Sequence, residues 1–230
     1  MEKTIVIYNS DETEMYIHQN TPDFISREIK SHRKFYEHEL LDFLRVKFPN
    51  QRNIIDIGAN IGNHSLFFAK YMNCETVFSF EPFPDNITIF KTNLRDYTEK
   101  CILFETALSD KNATRVLYNT GVGNFGGISF NCEPHSYVAN PSIECRTLDT
   151  FMLNNVSFIK IDVENHENEV LDGARETILR NRPIIILENS YYYFSHLFPD
   201  PEPHRGLLEL NYKKVYSNIR GSSMDLWIPE

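Results

Sequence analysis

Ile54-Ile55-Asp56-Ile57-Gly58-Ala59-Asn60-Ile61-Gly62-Asn63-His64-Ser65 is the stretch on which the reading of this chain turns. An aliphatic run passes through a turn of small residues and goes straight into a helical pattern. In a doubly wound α/β sheet such a turn lies at the carboxyl edge of a strand, where ligands bind. Glycines at 58 and 62 let the backbone pass close to a ligand, and the helix that follows offers free amide groups. Asp56 stands two residues before the first glycine. A carboxylate there suits a ligand with an ammonium group, as in the methionine part of S-adenosylmethionine, and would repel a pyrophosphate. Dinucleotide loops follow G-x-G-x-x-G; here the second glycine is Asn60, which speaks against NAD.

Outward from this loop, strand-like and helix-like segments alternate. Asn53 to Ile57 reads as a first buried strand, Ile61 to Met72 as a helix, Thr76 to Phe80 as a second strand, Pro84 to Tyr97 as a helix, and Cys101 to Phe104 as a third strand. The rhythm breaks from Arg115 to Arg146, where Arg115 to Tyr118 and Ile143 to Arg146 flank a glycine-rich loop, and we read an insertion. It resumes with Ser157 to Ile161, a helix carrying Val170, Leu171, Ala174 and Ile178 on its apolar face, and the strand Pro183 to Leu187. Leu207 to Leu210 closes a short helix, and Tyr212 to Ser217 with Met224 to Ile228 form a terminal antiparallel pair. This is the pattern of a mostly parallel, doubly wound α/β sheet. Ahead of it, Phe24 to Phe48 is one or two amphipathic helices that bury Phe35, Leu40, Leu41, Leu44 and Phe48. Glu81, nineteen residues beyond Gly62, ends the second strand at about the spacing where an acid meets ribose hydroxyls. It indicates a nucleoside without choosing between cofactor types.

Composition excludes several classes. Of 230 residues 41% are hydrophobic and 24% charged, which is neither disordered, collagenous nor membrane-like. The net charge of −9 leaves no long-range footprint for nucleic acid. The four cysteines, Cys74, Cys101, Cys132 and Cys145, lack the close pairs of a zinc site and read as free thiols. Met1 to Met15 has no basic region followed by an apolar run, and the longest purely aliphatic run is Ile184 to Leu187. A cytoplasmic chain without membrane or nucleic-acid partners is the expectation.

In order, the chain carries Asp56-Ile57-Gly58-Ala59-Asn60-Ile61-Gly62, Phe80-Glu81-Pro82, Ala107-Leu108-Ser109-Asp110, Gly123-Asn124-Phe125-Gly126-Gly127-Ile128-Ser129, Thr147-Leu148-Asp149 and Ile159-Lys160-Ile161-Asp162-Val163-Glu164-Asn165-His166-Glu167. Between Glu39 and Leu187 it thereby resembles the FkbM-type S-adenosylmethionine-dependent methyltransferases of class I fold. The glycine usual after the Asp-Val-Glu triplet is Asn165 here, the next most tolerant residue for a left-handed backbone. The resemblance implies a Rossmann-like seven-stranded sheet with an antiparallel last strand. We read a single domain overall, with residues 1–50 as an N-terminal strand and helical extension packed on a methyltransferase core of residues 51–230. The resemblance also implies methyl transfer to a hydroxyl of a carbohydrate or glycosylated small molecule, leaving S-adenosylhomocysteine. Carried over by position, Asp56, Gly58, Asn60, Gly62 and Asn63 would hold the methionine end, Glu81 the ribose, and Ala107 would border the adenine, with Ala59 and Pro82 among the cofactor contacts.

Methyl transfer to oxygen is an in-line displacement, so positioning dominates, at about 7–11 kcal/mol in favourable cases. Asp162, at the end of the fourth strand, would face the methyl group, with Lys160 and Glu188 completing the catalytic set. His166 is the preferred base because its ordinary pKa lies nearest neutral pH, and the alternative of a surface histidine stays open. Glu164 and Glu167 read as acids stabilising a helix start. Glu188 and Asn189 could approach Asp162 to form an oxygen set for magnesium, and metal dependence stays open. Tyr191, Tyr193 and His196 are candidate acceptor contacts or a hydrophobic cover. Asn124 and Ser129 are the polar contacts of a lid, or of a hairpin tip. Competing readings are a nucleotide-binding oxidoreductase of Rossmann type and a non-catalytic module that keeps the fold.

Overall fold

Short aliphatic and aromatic runs, each too brief for a helix and bounded by polar or turn residues, make the centre of the molecule. The structure, a computed structural model, describes residues 1–19, 23–119, 128–129, 139–189 and 204–230. In chain order come β1 (Glu2–Tyr8), β2 (Asp11–Ile17), α1 (Phe24–His32), α2 (His38–Lys47), β3 (Asn53–Ile57), α3 (Asn63–Tyr71), β4 (Thr76–Phe80), α4 (Pro84–Asn93) and β5 (Cys101–Phe104). There follow β6 (Ala107–Leu108), β7 (Ala113–Asn119), β8 (Ile128–Ser129), β9 (Ala139–Arg146) and β10 (Val156–Ile161). The chain closes with α5 (Glu167–Asp172), α6 (Arg175–Asn181), β11 (Ile184–Glu188), α7 (Arg205–Glu209), β12 (Tyr212–Tyr216) and β13 (Met224–Pro229).

Seven strands form one sheet in the order β12-β13-β11-β10-β3-β4-β5. β11, β10, β3, β4 and β5 pair in parallel, and β13, the last strand of the chain, runs antiparallel between β11 and β12. This is the sheet expected from the sequence. Its order reverses between β3 and β10, and such a switch point opens a crevice at the carboxyl ends of the two strands. The insertion between β5 and β10 folds as a smaller sheet, β6-β9-β7-β8.

Strand periodicity sorts the side chains onto two faces. Ile54 and Phe158 face α3, packing with Phe67 and Phe68 and with Leu40, Leu41 and Leu44 of α2. Ile55, Ile57, Ile159 and Ile161 face the other way, against Val170, Leu171 and Ile178. Asp56 and Lys160 therefore belong to the α3 face, directly opposite each other in register.

Three helix boundaries differ from the sequence expectation, each for a local reason. α3 starts two residues late because Gly62 is left-handed, φ 85°, and caps it. The helix from Pro84 ends at Asn93 and tightens into a 3₁₀ turn, Arg95–Tyr97. The apolar face from Val170 to Ile178 is carried by two helices, not one. They meet at Gly173, where an added Cβ would stand 2.0 Å from the Ser109 carbonyl oxygen, so this close approach interrupts the helix.

At the switch point the closest approach is between Gly58 and β10. An added Cβ at Gly58 would lie 1.8 Å from the carbonyl oxygen of Asp162, and its φ is +75°. Left-handed strain and overpacking together make Gly58→Ala destabilising by about 2–5 kcal/mol. Urea unfolding checks this, and a variant as stable as the parent would mean that the two strand ends are not held this close.

Candidate active site

The loop after β3 is shaped by its own backbone. Gly58 and Gly62 are left-handed, as is Asn60 at φ 50°, whose Oδ1 accepts from the Ile61 amide at 2.6 Å. The Gly58 and Ala59 amides donate to the Phe80 carbonyl at the end of β4, both at 3.0 Å. Gly62 has no room for a side chain, since an added Cβ would sit 2.7 Å from Leu94 Cδ2. Glu81, 5% exposed, fastens the loop from the side: it accepts the amides of Asn60 and Phe83, each at 2.8 Å, and the Asn86 side chain at 3.4 Å. Burial pushes its carboxyl up to about 7, against the pull of those hydrogen bonds. Of the residues named from sequence as cofactor contacts, Gly58, Ala59, Asn60, Glu81, Pro82 and Ala107 line the crevice and Gly62 does not.

Nor does Asp56. It is fully buried, its Oδ2 accepts from the Ser65 hydroxyl of α3 at 2.6 Å, and its Oδ1 lies 3.3 Å from the Lys160 ammonium. Contact with a ligand's ammonium, the role given to it from sequence, is thereby withdrawn. A carboxylate inside a central strand can be buried only if it is paired. Its partner is a cross-strand neighbour more than a hundred residues away in sequence.

Lys160, 2% exposed at its side chain, donates to the Gly58 carbonyl at 2.9 Å and lies 3.4 Å from Asp162. Burial alone would lower its pKa; the carboxylates of Asp162 and Asp56 outweigh that and hold it above the ordinary range. It is a fixed cation and has no proton to exchange at neutral pH, which argues against chemical catalysis by its amine.

Beyond Lys160, β10 ends in a turn with two successive left-handed residues, Glu164 at φ 54° and Asn165 at φ 70°. Asn165 thus adopts the backbone expected of the glycine it replaces. The carboxylates of Asp162, Glu164 and Glu188 gather within 4.8 Å of one another. Burial, then the charge of Asp162 and of Glu167, pushes Glu164 up to about 8. Glu188 is raised as well, by burial first and then by Asp162 and Glu164, with Ser223 donating to its Oε1 at 3.0 Å. Glu164 lines the crevice, so the reading of it as a helix-start acid is corrected. Glu167 keeps a structural place, accepting the Val163 amide at 3.0 Å. Asn189 turns away and donates to Asp225 at 3.0 Å, so it does not join Asp162.

His166 is no surface residue: it is 1% exposed and lines the crevice. Its Nε2 meets the Ser109 hydroxyl at 3.0 Å and its Nδ1 lies 3.4 Å from Glu169. Burial lowers its pKa. Asn63 lines the crevice, but its side chain is spent on Tyr36, accepting the amide at 2.9 Å and donating to the carbonyl at 3.1 Å. Beside it His64, also buried, lies 3.2 Å from the Glu37 carboxylate. Tyr36 enters the crevice wall here, its phenol kept protonated by burial and then by the charges of Glu37, Asp162 and Glu188. Tyr36 and Glu37 were not legible as site residues, because only the docked N-terminal segment brings them to the loop and to His64.

Among the acceptor candidates, Asn124, Tyr191, Tyr193 and His196 lie outside the described residues, and Ser129 is described as backbone of β8 opposite Tyr118. Among the described residues no helix is long and apolar enough to cross a membrane.

The sequence matches the Methyltransferase FkbM domain family over residues 56–214. The chain is similar to the 2-O-methyltransferase NoeI of Sinorhizobium fredii, at 26% identity over 193 residues, covering 75% of this chain and 77% of that protein. The crystal structure of methyltransferase FkbM from Methylobacillus flagellatus aligns with a TM-score of 0.52 and 18% identity. The alignment covers 83% of this chain and 47% of that one, so this chain spans about half of its length. At that identity the likeness speaks for the fold.

Two outcomes follow for the apo protein. Removing one member of a buried pair leaves the other charge uncompensated, so Asp56→Ala is expected to cost about 3–5 kcal/mol in urea unfolding; a loss of ligand affinity at unchanged stability would return Asp56 to the crevice. For Glu81, the folded carboxyl titrates near 7 against an ordinary 4.5, so the fold favours the protonated form. Its stabilising share is therefore lost as pH rises from about 4.5 through about 7. The stability of Glu81→Gln relative to the parent should rise across that window, and a flat difference would mean that Glu81 stays charged.

Proposed function

The chain belongs to the FkbM methyltransferase family, and on that premise we propose that it transfers a methyl group from S-adenosylmethionine to a hydroxyl of a sugar, a glycan or a glycosylated small molecule. The observation that carries this reading is the acidic floor of the crevice. Asp162 and Glu164 stand at the carboxyl end of β10, beside the glycine loop. Asp162 is complementary to a sulfonium donor with an ammonium tail, and such a cation would draw the proton off Glu164 and add its charge, whereas the pyrophosphate of a dinucleotide would gain nothing from either acid. The case against an oxidoreductase thus passes from Asp56 to Asp162 and Glu164. Glu81, at the end of β4, is suited to the ribose, and Pro82 with Ala107 to the adenine edge. That the related NoeI is by name a 2-O-methyltransferase supports oxygen as the atom methylated.

In the transfer, the acceptor oxygen forms a bond to the methyl carbon as the carbon–sulfur bond breaks, and that electron pair stays on sulfur. The hydroxyl proton leaves to a carboxylate. Glu164 takes this step in place of His166, whose Nε2 is engaged by Ser109: burial and Asp162 raise the proton affinity of its carboxyl, and the bound cationic donor would leave it ionised to accept the proton. Asp162 orients the reacting groups, and its own position is held by Lys160.

Calorimetric titration with S-adenosylhomocysteine, followed by turnover assays on a sugar panel, tests the reading. Micromolar binding is expected, weakened about tenfold or more in Glu81→Ala, which removes the acid set for the ribose and the anchor of the Asn60 amide. Asp162→Ala should bind the product more weakly but measurably, and lose about 100-fold or more in turnover at saturating donor. Retained turnover in that variant, or transfer to protein or nucleic acid in place of sugar, would overturn it, and binding without any turnover would leave a non-catalytic module. In the same assay, unchanged activity in EDTA removes magnesium, while loss restored by added magnesium keeps an ion among Asp162, Glu164 and Glu188.

A further inference from the structure

A second cavity opens beside the crevice. It is a groove of about 600 Å³ between α1, the link from α1 to α2, and the turn at residues 220–223. That volume is in the range of sites that enclose a small ligand, about 300–1,000 Å³. Tyr36 lines both the groove and the crevice. Glu188 lines the groove, while its carboxylate lies within 4.8 Å of those of Asp162 and Glu164, which line the crevice. The two cavities therefore meet at the end of β10.

The groove wall has a distinct chemistry. Phe24 is 44% exposed; the Arg27 guanidinium stands over its ring at 5.3 Å, and the ring is edge-on to Tyr36 with centroids 6.1 Å apart. Glu28, Glu39, Ser222 and Ser223 supply carboxylates and hydroxyls around it. A pyranose ring presents an apolar C–H face to an aromatic and a rim of hydroxyl donors to carboxylates, so the set is complementary to it. Arg220, His32 and His38 line the same groove, so its wall mixes both signs of charge and offers a hydroxyl rim acceptors and donors alike.

We propose that this groove seats a neutral glycosyl unit of the acceptor, with its reacting hydroxyl passing Tyr36 toward Asp162. The inference rests on the methyltransferase reading for the direction of approach, and it names a wall of the acceptor site built by the N-terminal segment.

The test is amide NMR of the ¹⁵N-labelled full chain, saturated with S-adenosylhomocysteine and titrated with methyl glycopyranosides of the gluco, galacto and 6-deoxy series. Shifts are expected at Glu28, Tyr36, Ser222 and Ser223. Sugar affinity should fall about fivefold or more in Phe24→Ala and in Glu28→Ala, both solvent-facing changes, with affinity for S-adenosylhomocysteine unchanged. Shifts confined elsewhere, no shift with any of the sugars, or variants that bind sugar like the parent would overturn the proposal. Failure of S-adenosylhomocysteine to bind the parent would instead overturn the methyltransferase reading, and the same sugar titration without it would still decide the groove.

Discussion

A single ammonium group, that of Lys160, sits where the two strands that define the crevice come together. It is surrounded by oxygens from three places: Asp56 in β3, the Gly58 carbonyl in the loop, and Asp162 at the end of β10. A buried ion pair is weak evidence for net stability, because desolvating both charges offsets much of their attraction. What it does impose is register. Slipping β10 by one residue against β3 would turn Lys160 to the opposite face and leave Asp56 buried alone, at a cost no close-packed neighbour could offset. Gly58 must then be glycine, since the strand ends are drawn so close that a Cβ would overlap the Asp162 carbonyl.

The same ammonium sets the electrostatics of the crevice. One cation already shared between Asp56 and Asp162 cannot also neutralise Glu164 and Glu188, and the acids around it are raised by burial and by one another. A cavity in that condition favours an entering cation, which would relieve the repulsion and draw protons off the acids. A sulfonium donor meets that demand. The family match and this charge pattern both support the proposed donor.

The N-terminal segment is joined to the loop rather than merely laid over the sheet. Asn63 and His64, the first two residues of α3, take hold of Tyr36 by its backbone and lie against Glu37 by its side chain. The residues that follow the glycine loop thus fix the position of an aromatic wall from a different part of the chain. In the sequence reading, Asn63 belonged to the cofactor; in the structure its amide is the clamp.

Local chemistry was sufficient for much of this protein. The short apolar runs of β3, β4 and β5 could be bounded to the residue because period and flanking turns are properties of short segments, and the same holds for the left-handed position at Asn165 and for Glu81 at its strand end. The helix breaks at Gly62 and Gly173 were not visible, since each answers to packing against a distant element. Asp56 marks the limit most clearly. Its identity and its place before the glycines can be read from the chain, but the direction of its carboxylate depends on Lys160 across the sheet. The pairing of β10 with β3, a tertiary event between segments a hundred residues apart, decided that the charge would hold the crevice together from beneath and that Asp162 and Glu164 would face whatever enters it.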